Sequence, residues 1–231
     1  KFLAKSGIAS RRRSDELIKM ATTEVNGKIC LNPAYDVREK DIVRYDGRKI
    51  EPINKTVVVM LNKPKNVIST MKDNMGRKIV TDFIPKKFPL NPIGRLDRNT
   101  TGLLLFTNDG DLHQLLTHPK NKISKDYEAI IEGKLSSNQK RKIQRGIYIG
   151  QKEFGQAEIL NQITEKTRSK VLLRLRQGKK REIRRIFFKL KFKLHSLKRI
   201  AFSEIKLGDL KEGYCRQLTK SEISCLKNST V

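Results

Sequence analysis

A chain of 231 residues in which 51 lysines and arginines face 24 aspartates and glutamates carries a formal charge of +27, far beyond what solubility requires, and points to a polyanionic partner. Its 37% hydrophobic content suffices at this length for folding without disulfides or metal staples, and no apolar run approaches the roughly 18–20 residues that span a bilayer. Three scattered cysteines (Cys30, Cys215 and Cys225) and a start at Lys1 without a signal-peptide core predict a cytoplasmic, reduced chain with no membrane attachment.

Taken in chain order, Ser10 is an N-cap for an amphipathic helix that places Leu17, Ile18 and Ala21 on one face. Asn26-Gly27 then predicts a tight hairpin, and a second strand pair spans about Asp41–Ile50, turning at Asp46-Gly47. Residues 1–52 thus form a small basic unit, followed by a polar linker over 53–56 and a second domain over 57–231. That domain opens on the buried strand Val57–Leu61, which Asn62-Lys63-Pro64-Lys65 ends. Leu103–Thr107 reads as a central strand, Leu112, Leu115 and Leu116 as a helix stopped by Pro119, Tyr127–Glu132 as a strand, Asn138–Gly146 as a helix and Val171–Leu175 as a strand. From Glu182, the residues Ile183, Ile186, Phe187 and Leu190 recur at the spacing of a core-facing helical stripe, with Arg184, Arg185 and Lys189 opposite. Strands in meander-like order between helices predict an α+β fold with a largely antiparallel mixed sheet.

The positive charges cluster at Arg11-Arg12-Arg13, at Lys179-Lys180-Arg181 with Arg184-Arg185, and along Lys189, Lys191, Lys193, Lys198 and Arg199. Clustering favours nucleic acid over a uniformly lysine-rich surface. With no tryptophan and 6% aromatics, extended base stacking has little to build on, so backbone contacts are expected to dominate affinity. No histidine–cysteine spacing fits a zinc site and no phosphate-cradling loop is present, so neither a metal nor a cofactor is predicted. An EF-hand reading of Asp97–Asn108 fails because Asn108 stands where a bidentate glutamate belongs.

The segment Gly94-Arg95-Leu96-Asp97-Arg98-Asn99-Thr100-Thr101-Gly102 carries the most chemistry. A carboxylate between two arginines is stabilised as the anion and can serve as nucleophile or base; equally, Asp97 can cap a turn while the arginines are solvated.

As a set, Gly94-Arg95-Leu96-Asp97 with Thr100–Leu104, then Lys125-Asp126-Tyr127, then Gly178-Lys179-Lys180-Arg181-Glu182-Ile183-Arg184-Arg185 resemble the ribosomal RNA pseudouridine synthases of the RsuA and RluB type. Gly7–Arg12 and Val25–Lys28 resemble the S4 RNA-binding domain that precedes the catalytic domain in that group, although the unit opens abruptly at Lys1. The resemblance implies an S4-like domain over 1–52 and a catalytic domain over 57–231 that isomerises a uridine of ribosomal RNA, more specifically of the large subunit, without a cofactor. It implies Asp97, Tyr127 and Arg184 as catalytic residues, and Arg95 as a contact to the opened RNA. Arg11, Arg12, Arg13, Lys179, Lys180, Arg181 and Arg185 are the expected RNA-binding cations, on a chain expected to be monomeric. The rival reading is a non-catalytic S4-domain ribosome-assembly factor.

Overall fold

The computed structural model describes residues 1–229; the last two residues of the expected second domain, 230–231, lie outside the described residues. The N-terminal unit comprises α1 (Phe2–Lys5), α2 (Arg11–Lys19), β1 (Thr23–Val25), β2 (Lys28–Ile29), β3 (Val43–Tyr45) and β4 (Arg48–Lys49), with the strands in the order β2-β1-β3-β4. The Ser10 hydroxyl accepts the Arg13 N–H at 3.3 Å and starts α2. The helix stops short of Ala21, which sits at φ +60° and is exposed. There the N–H groups of Ala21 and Thr22 donate back to the carbonyls of Ile18 and Leu17 at 3.1 and 3.5 Å, the paired bonds that close a helix through a left-handed residue. Both hairpin turns have positive φ at their two central residues, Asn26 and Gly27 (51° and 77°) and Asp46 and Gly47 (46° and 74°), as type I′ turns require.

The larger part of the chain contributes β5 (Val58–Lys63), β6 (Asn91–Pro92), β7 (Thr101–Thr107), α3 (Gly110–Thr117), β8 (Lys125–Glu132), α4 (Ser137–Arg145), β9 (Ile147–Gly150), β10 (Glu153–Gly155), β11 (Glu158–Glu165) and β12 (Arg168–Leu175). It continues with α5 (Glu182–Lys189), β13 (Leu194–Phe202), β14 (Ile205–Lys206), β15 (Cys215–Gln217) and α6 (Lys220–Lys227). The main sheet runs β11-β12-β8-β13-β7-β5-β15, with β14 on β13 and β6 on β7. Only the β13–β7 pairing in it is parallel; the other pairings are antiparallel. The fold is therefore α+β with a mixed sheet.

Alternation along β5 and β7 divides the core between the sheet's two faces. Val58, Met60, Leu103 and Leu105 pack with Leu112, Leu116 and Leu226 of α3 and α6, while Val57, Val59, Leu61, Leu104 and Phe106 pack with Val80 and Leu90. At the other end of the sheet, Ile183, Ile186 and Phe187 of α5 lie against Ala129, Ile131, Val171 and Leu173, as the helical stripe predicts. Each of the three α5 side chains contributes roughly 1.5–3 kcal/mol through burial. No helix among the described residues is long and apolar enough to cross a membrane.

At the C-terminal end the Glu222 carboxylate accepts from Arg216 at 2.7 and 2.9 Å and from the Thr219 N–H at 2.8 Å. The Arg216 guanidinium beside it lowers the Glu222 pKa to about 2, from 4.5. Because the folded value lies below the unfolded one, this contribution is complete above pH 4.5 and is lost as pH falls through about 2. Denaturant titrations of the wild type and Glu222→Gln are expected to differ at pH 7 and to converge near pH 2; a gap of constant size would contradict the pairing.

Candidate active site

Asp97 lies in the segment that links β6 to β7, and three local features fix it. Leu96, 5% exposed, buries its side chain in the core beneath the segment. Ser69 clamps the same residue, its hydroxyl donating to the Leu96 carbonyl at 2.8 Å and accepting the Leu96 N–H at 3.2 Å. The Thr100 N–H closes a turn on the Asp97 carbonyl at 3.0 Å. The turn is made by the backbone carbonyl of Asp97 and not by its side chain, which is left about one-third exposed.

Arg184 projects from the first turn of α5 toward this segment. Its Nη2 donates to the Asn99 carbonyl at 2.9 Å and to the Thr100 hydroxyl at 3.0 Å. Its Nε lies 3.5 Å from Asp97 Oδ2, yet it is buried without a hydrogen-bond partner, so the pair is a charge contact with one donor unspent. Burial lowers the Arg184 pKa, and Asp97 opposes that shift.

Tyr127, on β8, stands directly opposite Arg199 of β13 in the sheet register, so the two share a face of the sheet. That face floors a cavity of about 520 Å³ lined by Asp97, Tyr127, Arg184, Arg95, Lys179, Lys180, Arg181, Lys125, Leu197 and Arg199. Seven of the expected site residues therefore meet at one cavity. Lys180, Arg181 and Arg95 are exposed, which sets cations at its rim. Glu182, 4% exposed, holds the Lys179–Arg181 segment by accepting the N–H of Lys179 and of Gln156, each at 3.1 Å, and its own burial raises its pKa.

Arg11, Arg12 and Arg13 are exposed on α2 and do not line the cavity; Arg13 pairs with Glu16 at 2.7 Å. Arg185 departs from expectation. Its guanidinium donates to the carbonyls of Ile149 (3.0 Å), Gly150 (2.7 Å) and Lys180 (3.2 Å) and to Glu153, fastening the β9–β10 hairpin to α5 with little left to offer a phosphate. Arg199, expected in a basic surface cluster, is 2% exposed; its Nε donates to the Leu103 carbonyl at 2.6 Å and its guanidinium lies 5.4 Å from the Phe202 ring centroid.

Sequence reasoning also missed two lysines. Lys63, expected to end β5, is its last residue and fully buried. Its ammonium donates to the carbonyls of Pro64 (2.9 Å), Arg98 (3.3 Å) and Thr100 (2.9 Å), so Lys63 and Arg184 together hold the backbone just after Asp97. Burial lowers its pKa to about 8, against the opposing pull of Glu212 and Asp97. Lys125 bonds the Ile123 carbonyl at 3.0 Å; burial, then Arg199 nearby, lowers it to about 8. The available signal for Lys63 was its place at the end of the apolar strand β5.

Comparison with known proteins adds an independent finding. A sequence model of the RNA pseudouridylate synthase family matches residues 57–189. The chain is 38% identical to the ribosomal large subunit pseudouridine synthase B of Bacillus subtilis, over 98% of this chain and 94% of that protein. It is 34% identical to an uncharacterized RNA pseudouridine synthase of Aquifex aeolicus, over 98% and 92%. Among solved structures, a crystal structure of a pseudouridylate synthase is similar at a TM-score of 0.68 and 26% identity, covering 97% of this chain and 96% of that one.

Proposed function

Because this chain belongs to the RNA pseudouridylate synthase family, we propose that it isomerises a specific uridine of large-subunit ribosomal RNA, with Asp97 acting at the ribose, Tyr127 at the base and Arg184 holding the aspartate. The observation that carries these assignments is convergence: three side chains from three separate segments, residues 97, 127 and 184, line one cavity.

The reaction breaks the N1–C1′ bond of uridine, joins C1′ to C5, releases the C5 hydrogen to solvent and returns a proton to N1. Atoms balance without an external oxidant, reductant or nucleotide. Asp97 either adds to C1′ or removes a ribose proton, and the Arg184 Nε 3.5 Å from its Oδ2 holds it in place for either route. Tyr127 stacks on the uracil. A uridine within a helix cannot reach this cavity, so the base is flipped into it, at the expense of a few kcal/mol of stacking and pairing; exposed Arg95 at the rim is suited to filling the gap left behind. Lys179, Lys180 and Arg181 meet the neighbouring phosphates.

We read residues 1–52 as an S4-like RNA-binding domain, with Arg11, Arg12 and Arg13 contacting phosphates, 53–56 as a linker, and 57–231 as the catalytic domain of a cytoplasmic monomer. The start of the family match at residue 57 supports that boundary. The large-subunit assignment rests on the Bacillus relative and is tested by mapping pseudouridine, through its stable carbodiimide adduct, in unmodified large- and small-subunit RNA incubated with the protein. One new site confined to the large-subunit RNA is the expected result; a site in the small-subunit RNA would overturn it.

Arg184→Lys keeps a charge but cannot reproduce the planar fork that joins Asn99, Thr100 and Asp97. We expect kcat to fall about 100-fold with RNA affinity within about threefold, measured in single-turnover assays; a fall in affinity alone would make Arg184 a phosphate contact instead.

A further inference from the structure

Few as the aromatic residues are, the exposed ones are not scattered. Among the described residues five tyrosines or phenylalanines are exposed, and three of them, Tyr148 (48%), Phe154 (59%) and Phe188 (78%), belong to the β9–β10 hairpin and the end of α5. Tyr148 and Phe154 pack edge to face with ring centroids 5.5 Å apart, and the Lys189 ammonium lies 5.9 Å from the Tyr148 centroid. Exposing three large rings on two packed elements is unfavourable unless something covers them. Their placement indicates what does. The Lys179 ammonium, from the rim of the cavity, donates to the Phe154 carbonyl, so the hairpin adjoins one side of the cavity mouth. Phe188 follows Arg184 by four residues on α5, one helical turn farther along the same face.

We propose that Tyr148, Phe154 and Phe188 form a stacking platform for unpaired nucleotides of the RNA that flank the target uridine, with Lys179 and Lys189 taking their phosphates. The proposal rests on the RNA-modifying function above and extends it to a surface outside the cavity. Rings interleaved with cations suit single-stranded RNA: each base offers a π-face, each linkage a negative charge, and lysine over an aromatic ring sustains both. An apolar protein partner would have no use for the two cations.

The chain contains no tryptophan, so Phe188→Trp installs a single fluorophore on the platform and Tyr214→Trp, exposed outside both the cavity lining and the N-terminal unit, a control. A naked RNA fragment spanning the modified site is expected to quench the indole fluorescence of the Phe188→Trp protein strongly and that of the control weakly, saturating where filter binding saturates. The triple variant Tyr148→Ala/Phe154→Ala/Phe188→Ala is expected to weaken filter binding about tenfold or more while leaving the slope of log Kd against log salt unchanged, since no cation is removed. Phe154→Tyr/Phe188→Tyr should retain wild-type affinity, because stacking survives. Undiminished affinity of the folded triple variant, with no quenching of the Phe188→Trp protein, would overturn the platform. Quenching by assembling ribosomal particles but not by naked RNA would overturn it too, in favour of a protein partner. Absence of isomerisation with quenching intact would count against the proposed activity and leave the platform standing.

Discussion

Asp97→Asn is expected to reduce pseudouridine formation by about 10³-fold or more while leaving RNA affinity within about threefold of wild type. The substitution is nearly isosteric and leaves the surrounding contacts in place: Leu96 remains clamped by Ser69, and Arg184 keeps its bonds to Asn99 and Thr100. What is lost is the anion, and with it both the capacity to add to a ribose carbon and the capacity to take a ribose proton. Since the carboxylate is one partner of a partly exposed ion pair at 3.5 Å, stability should change by no more than about 1 kcal/mol. The check combines single-turnover rates, filter binding and thermal unfolding. A variant that kept a tenth of wild-type activity would remove Asp97 from the centre of the chemistry.

The largest effect on stability is expected at Gly102. This residue pairs with Arg199 at the parallel junction of β7 and β13, at φ +100°. A Cβ there would overlap the Arg199 carbonyl oxygen and stand 2.7 Å from the Arg199 nitrogen. Both are backbone atoms in a sheet and cannot move aside singly. Gly102→Ala must therefore separate the two strands or change the φ of Gly102, disturbing the bond from Arg199 to Leu103 and the hold of Lys63 on Thr100. A loss of about 4 kcal/mol or more, or failure to fold, is the expected outcome. Gly110→Ala, at the first position of α3 with no atom within 4 Å of the added methyl, is the control and should be neutral or slightly stabilising. Comparable Tm values for the two variants would contradict the close approach.

Much of this architecture is legible in the residues themselves. Asn26-Gly27 and Asp46-Gly47 specify their turns because both positions of each must take positive φ. The stripe of Ile183, Ile186 and Phe187 specifies α5 because helical spacing has a single buried solution here. Strands β11 and β13 are not legible, for opposite reasons. Along β11 only Ile159 and Gln162 are even partly covered, so the alternation that marks a strand is absent. β13 carries Lys198 and Arg199 in its middle, charges that look like surface until Leu103, 96 positions away, supplies an acceptor. The candidate site divides in the same way. Asp97, Tyr127 and Arg184 stand in recognisable blocks, whereas Ser69 and Lys63 act on the carbonyls of Leu96, Arg98 and Thr100 that only the fold brings near, and a carbonyl has no signature in sequence.

The central claim, that this chain is a uridine isomerase, is tested most directly with large-subunit RNA transcribed with tritium at uracil C5 and incubated with the wild-type protein and no added cofactor. The account predicts release of one tritium per RNA molecule, matched by one pseudouridine in its digest, because the new carbon bond displaces that hydrogen. Tight binding of naked RNA and of assembling ribosomal particles, with no release from either, would contradict the account and make the protein an RNA-binding assembly factor on a synthase fold.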